Sequence, residues 1–286
     1  MNIIKDKDSI RAIIKKFKAV FLDSYGVIKN HKGLIDGIEN TIEFIRNENI
    51  ALRVLTNDAS RSQQSQAEKF ERLGLANIEA EDIVTSGMMA SEFIRNKITS
   101  GKVAYIGTSQ AASYIIDADV EAIPIDMVDV QNPKDISAIV FLDDEGYDWA
   151  TTINHTINLL RRINVPIVVA NTDRIYPVAK NDVALATGGI AQLVENVIGR
   201  KFIKFGKPDS QMFMFAMEHL QHKGIQVERK DILMVGDTLH TDILGGNKFG
   251  IKTALVLSGN TTERNAQLLI DATGVVPDYI FESIVL

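Results

Sequence analysis

The chain contains no cysteine. That excludes disulfides, thiolate catalysis and Cys-ligated zinc, and it is what a reducing, cytoplasmic location would produce. An excess of positive charge is also missing. Lys and Arg number 31 against 37 Asp and Glu, a net charge of −6. No general affinity for nucleic acid or an anionic membrane surface is therefore expected. An anionic ligand would need a local positive site or a metal. No apolar run approaches the ~18 residues of a membrane-spanning helix. The segment Met1–Val20 carries charges throughout and lacks an apolar h-region, so no signal peptide is expected. Internal repeats and low-complexity tracts are absent. What is present is ordinary for a soluble globular chain: 286 residues, 45% apolar and 24% charged. That length allows one large domain or two smaller ones.

Several short apolar runs stop abruptly at polar residues or glycine. Ala19–Leu22 meets Asp23, and Ala51–Leu55 meets Thr56-Asn57. Ile232–Val235 meets Gly236-Asp237, and Thr253–Leu257 meets Ser258-Gly259. Uninterrupted apolar runs of this length predict strands buried on both faces, hence a parallel sheet. Helical patterns lie between them. Ile38, Ile42 and Ile45 form one stripe, Ser60 is placed to cap a helix ending near Gly74, and Pro208 and Gly224 bracket another. Asp8–Lys18 reads as a basic amphipathic helix lying on the core. The alternation predicts an α/β fold. Val103–Ile106, Ala138–Leu142 and Val165–Ala170 add three strand-like runs, which either extend the same sheet or belong to an inserted domain.

Ligands of open parallel sheets bind outside the carboxyl ends of the strands. Asp23, Thr56-Asn57, Lys207 and Asp237 all sit at or near such ends. Asp23 is suited to be a nucleophile or metal ligand. Asp237 and Asp242, five residues apart, are suited to share an octahedral Mg²⁺, although either could instead cap a helix. Lys207 can neutralise a phosphate, and Thr56 can offer a hydroxyl to one.

Asp23-Ser24-Tyr25-Gly26-Val27, Thr56-Asn57, Gly206-Lys207-Pro208 and Gly236–Asp242 resemble, in order, the four motifs of the haloacid dehalogenase superfamily. Thr85-Ser86-Gly87, Asn171-Thr172-Asp173 with Pro177, and Leu255–Gly259 resemble further marks of its type IIA branch. The resemblance runs from about Lys18 to Thr262. It implies a Rossmann-like, doubly wound parallel sheet core made of residues 1–100 and 187–286, with an inserted α/β cap at 101–186. It further implies a Mg²⁺-dependent phosphatase of small phosphorylated metabolites. Asp23 would form an aspartyl-phosphate, and Thr56, Asn57 and Lys207 would hold the phosphoryl group. Asp23, the carbonyl of Tyr25, Asp237 and Asp242 would hold the metal. A homodimer through the cap would also match relatives.

One position departs from the family pattern. Active members carry a second Asp two residues after the nucleophile, the acid and base of the reaction, and here that position is Tyr25. General acid–base catalysis contributes about 10²–10⁴-fold, and a phenol titrating near 10 is a poor base at neutral pH. Slow turnover, or a decayed protein that only binds phosphorylated ligands, would follow. Tyr25 is expected chiefly to shield the site. None of the five histidines pairs at a metal-binding spacing, and His240 is expected to be exposed. Asp143-Asp144-Glu145 reads as the end of a cap strand near the crevice mouth, with a solvated turn as the default, and Trp149 as a residue that packs the cap or touches substrate, core packing being the commoner.

Overall fold

A computed structural model of the chain describes residues 9–179 and 182–286. By its contacts the chain divides into two compact units. The first holds the described residues up to Thr56, then Gln63–Val84 and Lys207–Leu286. The second holds Asn57–Ser62 and Thr85–Gly206.

The first unit is built on a six-stranded sheet. Its order is Tyr279–Phe281, Lys252–Val256, Ile232–Gly236, Ala19–Asp23, Ala51–Thr56 and Ile83–Thr85. The pairings from Tyr279–Phe281 across to Ala51–Thr56 are parallel. The uninterrupted apolar runs follow from burial on both faces. Val20, Leu22, Leu52, Val54, Leu233 and Val235 join one apolar cluster with the helix Ile38–Asn47. Ala19, Phe21, Leu55, Ile232 and Met234 join another with the helix Ser210–His222. A Leu, Ile, Val or Phe fully buried in this way contributes about 1.5–3 kcal/mol.

The second unit has its own five-stranded parallel sheet, ordered Ile203–Lys204, Ile167–Val169, Ile136–Phe141, Lys102–Ile106 and Glu121–Pro124. The three middle runs of the sequence are therefore a separate sheet. The unit extends beyond 101–186. Strand Ile203–Lys204 pairs with Ile167–Val169, and Ile190, Ala191 and Val194 of the helix Thr187–Ile198 pack into this sheet's core.

Local details differ from the sequence expectations. Ser60 does not cap the helix: its N–H and hydroxyl donate to Asp58 Oδ1, and the helix runs Gln63–Arg72. Helix Ser210–His222 is capped by Asp209, one residue after Pro208. The amphipathic helix is Ile10–Ile14, capped by Ser9, with Ile10, Ile13 and Ile14 buried; Asp8 lies outside the described residues. Among the described residues no helix is long and apolar enough to cross a membrane.

Candidate active site

The register of the central strands assembles the site. Asp23 ends one strand, and its partner on the neighbouring strand is Leu55, which puts Thr56 one residue farther along. On the other side Leu22 pairs with Val235, so Gly236 and Asp237 continue past it. One atom from each of the Asp23, Asp237 and Asp242 carboxylates lies within 4.8 Å of the others. Asp237 and Asp242 are fully buried.

Asp242 reaches this cluster because the chain after Asp237 makes a wide helical turn, Leu239–Ile243. The Asp242 and Ile243 N–H groups both donate to the Thr238 carbonyl, at 3.0 and 3.4 Å. The Thr238 N–H in turn donates to Asp242 Oδ2 at 3.0 Å. Asp242 is thus not a helix cap. A β-carbon at Gly236 would collide with the Asp242 side chain, so that glycine is required by space.

Lys207 joins the carboxylates. It is 2% exposed. Its Nζ donates to Asp23 Oδ1 at 2.5 Å. It also lies 2.8 Å from Asp242 Oδ1 as an ion pair. Burial opposes the Lys207 charge, but Asp23 and Asp242 outweigh it and hold the ammonium above the usual lysine range. Burial also pushes the Asp242 carboxyl up to about 7, against the pull of Lys207. Asp237 is raised well above the ordinary range by burial, with the Asp23 and Asp242 charges adding to it.

Three carboxyl groups beside one ammonium make a cluster of hard oxygen donors. That donor set fits Mg²⁺, which binds through a few carboxylates and retains waters. Gly26 and Gly259 make room for the Asp237 carboxylate. A β-carbon at either would overlap the Asp237 carboxylate. Tyr25 is half-buried nearby. Burial raises its phenol above 10; the His31 backbone amide opposes this, and the Asp237 charge adds to it.

Asn57 is placed differently. It belongs to the second unit, where its amide donates to Asp173 Oδ1 at 2.9 Å and Thr172 Oγ1 at 3.2 Å. His240 is exposed. Asp143 is not a solvated turn: it is 8% exposed. Burial pushes its carboxyl up to about 6, although the Thr108 hydroxyl donates to it at 3.1 Å. Trp149 does not pack in the core. It is 41% exposed, and its indole N–H donates to the Asp144 carbonyl. The sequence also gave no role to Thr238 and Asn260, both of which bond Asp237. Their signal is faint: a hydroxyl after the strand-end Asp, and a polar residue after the Ser-Gly turn of the next strand.

Three aspartates and a lysine are thus gathered at the carboxyl ends of a parallel sheet. Residues 20–121 match the haloacid dehalogenase-like hydrolase family, and 204–285 match the HAD-hydrolase-like family. A solved structure from Cytophaga hutchinsonii, described as a possible sugar phosphatase of that superfamily, is 47% identical. It covers 99% of both chains with a TM-score of 0.94. Bovine chronophin is 26% identical over 283 residues, 96% of this chain and 94% of its own. The fold is also that of a glycerol phosphate phosphatase from Mycobacterium tuberculosis in complex with magnesium. That structure is 21% identical, covers 97% of this chain and 77% of its own, and has a TM-score of 0.77. The chain belongs to the haloacid dehalogenase superfamily.

Proposed function

We propose that the chain hydrolyses small phosphate esters, sugar phosphates or similar metabolites, with Mg²⁺ and through an aspartyl-phosphate on Asp23. The observation that carries this reading is the Asp23–Asp237–Asp242 cluster around the Lys207 ammonium. Asp23, Asp237, Asp242 and the Tyr25 carbonyl would hold the cation. When bound, it would neutralise phosphoryl oxygens and the carboxylate that attacks them. The mycobacterial phosphatase is described in complex with magnesium and in complex with calcium.

The chain's own groups do the rest. The Asp23 carboxylate attacks phosphorus, and the bond to the leaving oxygen breaks. Lys207 holds Asp23 in place and draws phosphoryl charge. Thr56 is 8% exposed at the end of the adjacent strand and offers its hydroxyl to a phosphoryl oxygen. Tyr25 exchanges protons poorly at neutral pH, so turnover is slow and favours leaving groups that depart without a proton. The second unit, Asn57–Ser62 with Thr85–Gly206, acts as the cap that selects the substrate, and the first unit as the catalytic core.

Calorimetric Mg²⁺ titration, followed by p-nitrophenyl phosphate turnover with and without Mg²⁺, tests this. Millimolar or tighter binding and Mg²⁺-dependent turnover are expected. Metal-independent turnover would refute the proposal.

A further inference from the structure

The loop Ser258–Thr261 closes around Asp237 from the neighbouring strand. The Asn260 backbone N–H donates to Asp237 Oδ2 at 2.5 Å, and the Thr261 N–H donates to the Asp237 carbonyl at 3.1 Å. The Thr238 hydroxyl donates to Asp237 Oδ1 at 2.8 Å. The Asn260 side-chain amide then donates to that same Thr238 oxygen at 3.0 Å. Beside them the Ser258 hydroxyl donates to the Gly26 carbonyl at 2.7 Å, tying this loop to the turn after Asp23.

We propose that Asn260 and Thr238 are positioning residues, a two-step relay that fixes how the Asp237 carboxylate is presented to a divalent cation. The proposal rests on the Mg²⁺ reading above. A hydroxyl has one hydrogen and can give it to one acceptor. An ionised carboxylate only accepts, and an amide NH₂ only donates. With the Asn260 NH₂ on the Thr238 oxygen, the hydroxyl hydrogen is directed to Asp237. Each Asp237 oxygen then has one fixed donor and keeps a further acceptor direction for the cation. Such outer partners typically set metal affinity by 10–100-fold. Asn260 is exposed, so changing it does not disturb the core.

The relay predicts a coupling that neither packing nor bulk charge produces. Asn260→Asp puts an acceptor where the donor was. The introduced carboxylate takes the Thr238 hydrogen and turns it away from Asp237. The same change also adds negative charge, which by itself would favour a cation. Combining it with Thr238→Val isolates that second effect, because no hydroxyl remains to be turned.

The test is calorimetric Mg²⁺ titration of the whole protein without substrate, with melting temperature as the control for folding. Thr238→Val is expected to raise the Mg²⁺ dissociation constant by about tenfold, and Thr238→Ser to restore it to near the wild-type value. Asn260→Asp should weaken binding when Thr238 is present, and should leave it unchanged or tighten it in the Thr238→Val background. Wild-type affinity in Thr238→Val, or an Asn260→Asp effect that is the same in both backgrounds, would overturn the relay. Failure of the wild type itself to bind Mg²⁺ would overturn the metal reading and the relay together.

Discussion

Lys207 and Asp23 lie 184 residues apart in the chain, yet the ammonium and the carboxylate meet at 2.5 Å. The pair forms because one residue ends a central strand and the other enters the helix Ser210–His222, which packs beneath the same sheet. With Asp242 as a second partner, Lys207 holds together the groups that the motifs scatter along the sequence.

Removing that ammonium should therefore damage both folding and activity. Stripping a buried charge of its partner costs about 3–5 kcal/mol. Lys207→Met is expected to lose a few kcal/mol in urea denaturation at neutral pH and to lose at least ~10²-fold in turnover. Part of the stability should return at low pH, where the carboxylates are protonated. Lys207→Arg should not rescue activity, because the larger planar group does not fit a site that is 2% exposed.

The raised carboxyls make metal stabilisation depend on pH. Asp242 titrates near 3.8 when unfolded and at about 7 when folded, and Asp237 is shifted in the same direction. As pH rises from about 4 to about 7, the unfolded chain gives up these protons before the native protein does. The metal-free fold therefore loses stability through that window. Mg²⁺ binds the deprotonated native state and so offsets the loss. The Mg²⁺-induced rise in melting temperature should be small at pH 5 and much larger at pH 8. A rise that is constant across this range would show that these carboxylates are not the ligands.

Gly259 offers a cleaner test of the cradle. An alanine there needs no unusual backbone angle, but its β-carbon would overlap the Asp237 carboxylate. Gly259→Ala is expected to stay folded by circular dichroism while losing its thermal response to Mg²⁺ and at least ~10-fold in turnover. An unchanged Mg²⁺ response would mean that Asp237 is not held against this loop.

Most of the catalytic unit was legible in the sequence. Ala19–Leu22 and Ile232–Val235 are apolar at every position because both sheet faces are buried, and such runs announce their own ends. The short strands Ile83–Thr85, Tyr279–Phe281 and Glu121–Pro124 gave no comparable signal, because three or four residues carry no period. Asp143 and Trp149 were misread for a related reason. Their loop composition says solvent, whereas Asp143 is covered and Trp149 is left out in ways that only tertiary packing decides. Thr238 and Asn260 were invisible because their roles depend on hydrogen-bond direction across 22 residues.

Tyr25 sets the expected substrate preference. An alkoxide leaving group needs a proton as its bond to phosphorus breaks, whereas a nitrophenolate does not. The wild type should cleave p-nitrophenyl phosphate faster than an alkyl phosphate. Tyr25→Asp should narrow that gap by raising alkyl phosphate turnover about 10²-fold or more. A fall in both activities with Tyr25→Asp would show that the phenol itself carries the proton.

The central claim is that Asp23 becomes phosphorylated, and rapid acid quench with ³²P-labelled p-nitrophenyl phosphate and Mg²⁺ tests it most directly. With no carboxylate two residues on to activate water, the aspartyl-phosphate should accumulate. Label should appear on the protein as a hydroxylamine-sensitive phosphoryl group, map to Asp23, and vanish with Asp23→Asn along with turnover. Label at another residue, or turnover that survives Asp23→Asn, would contradict the account.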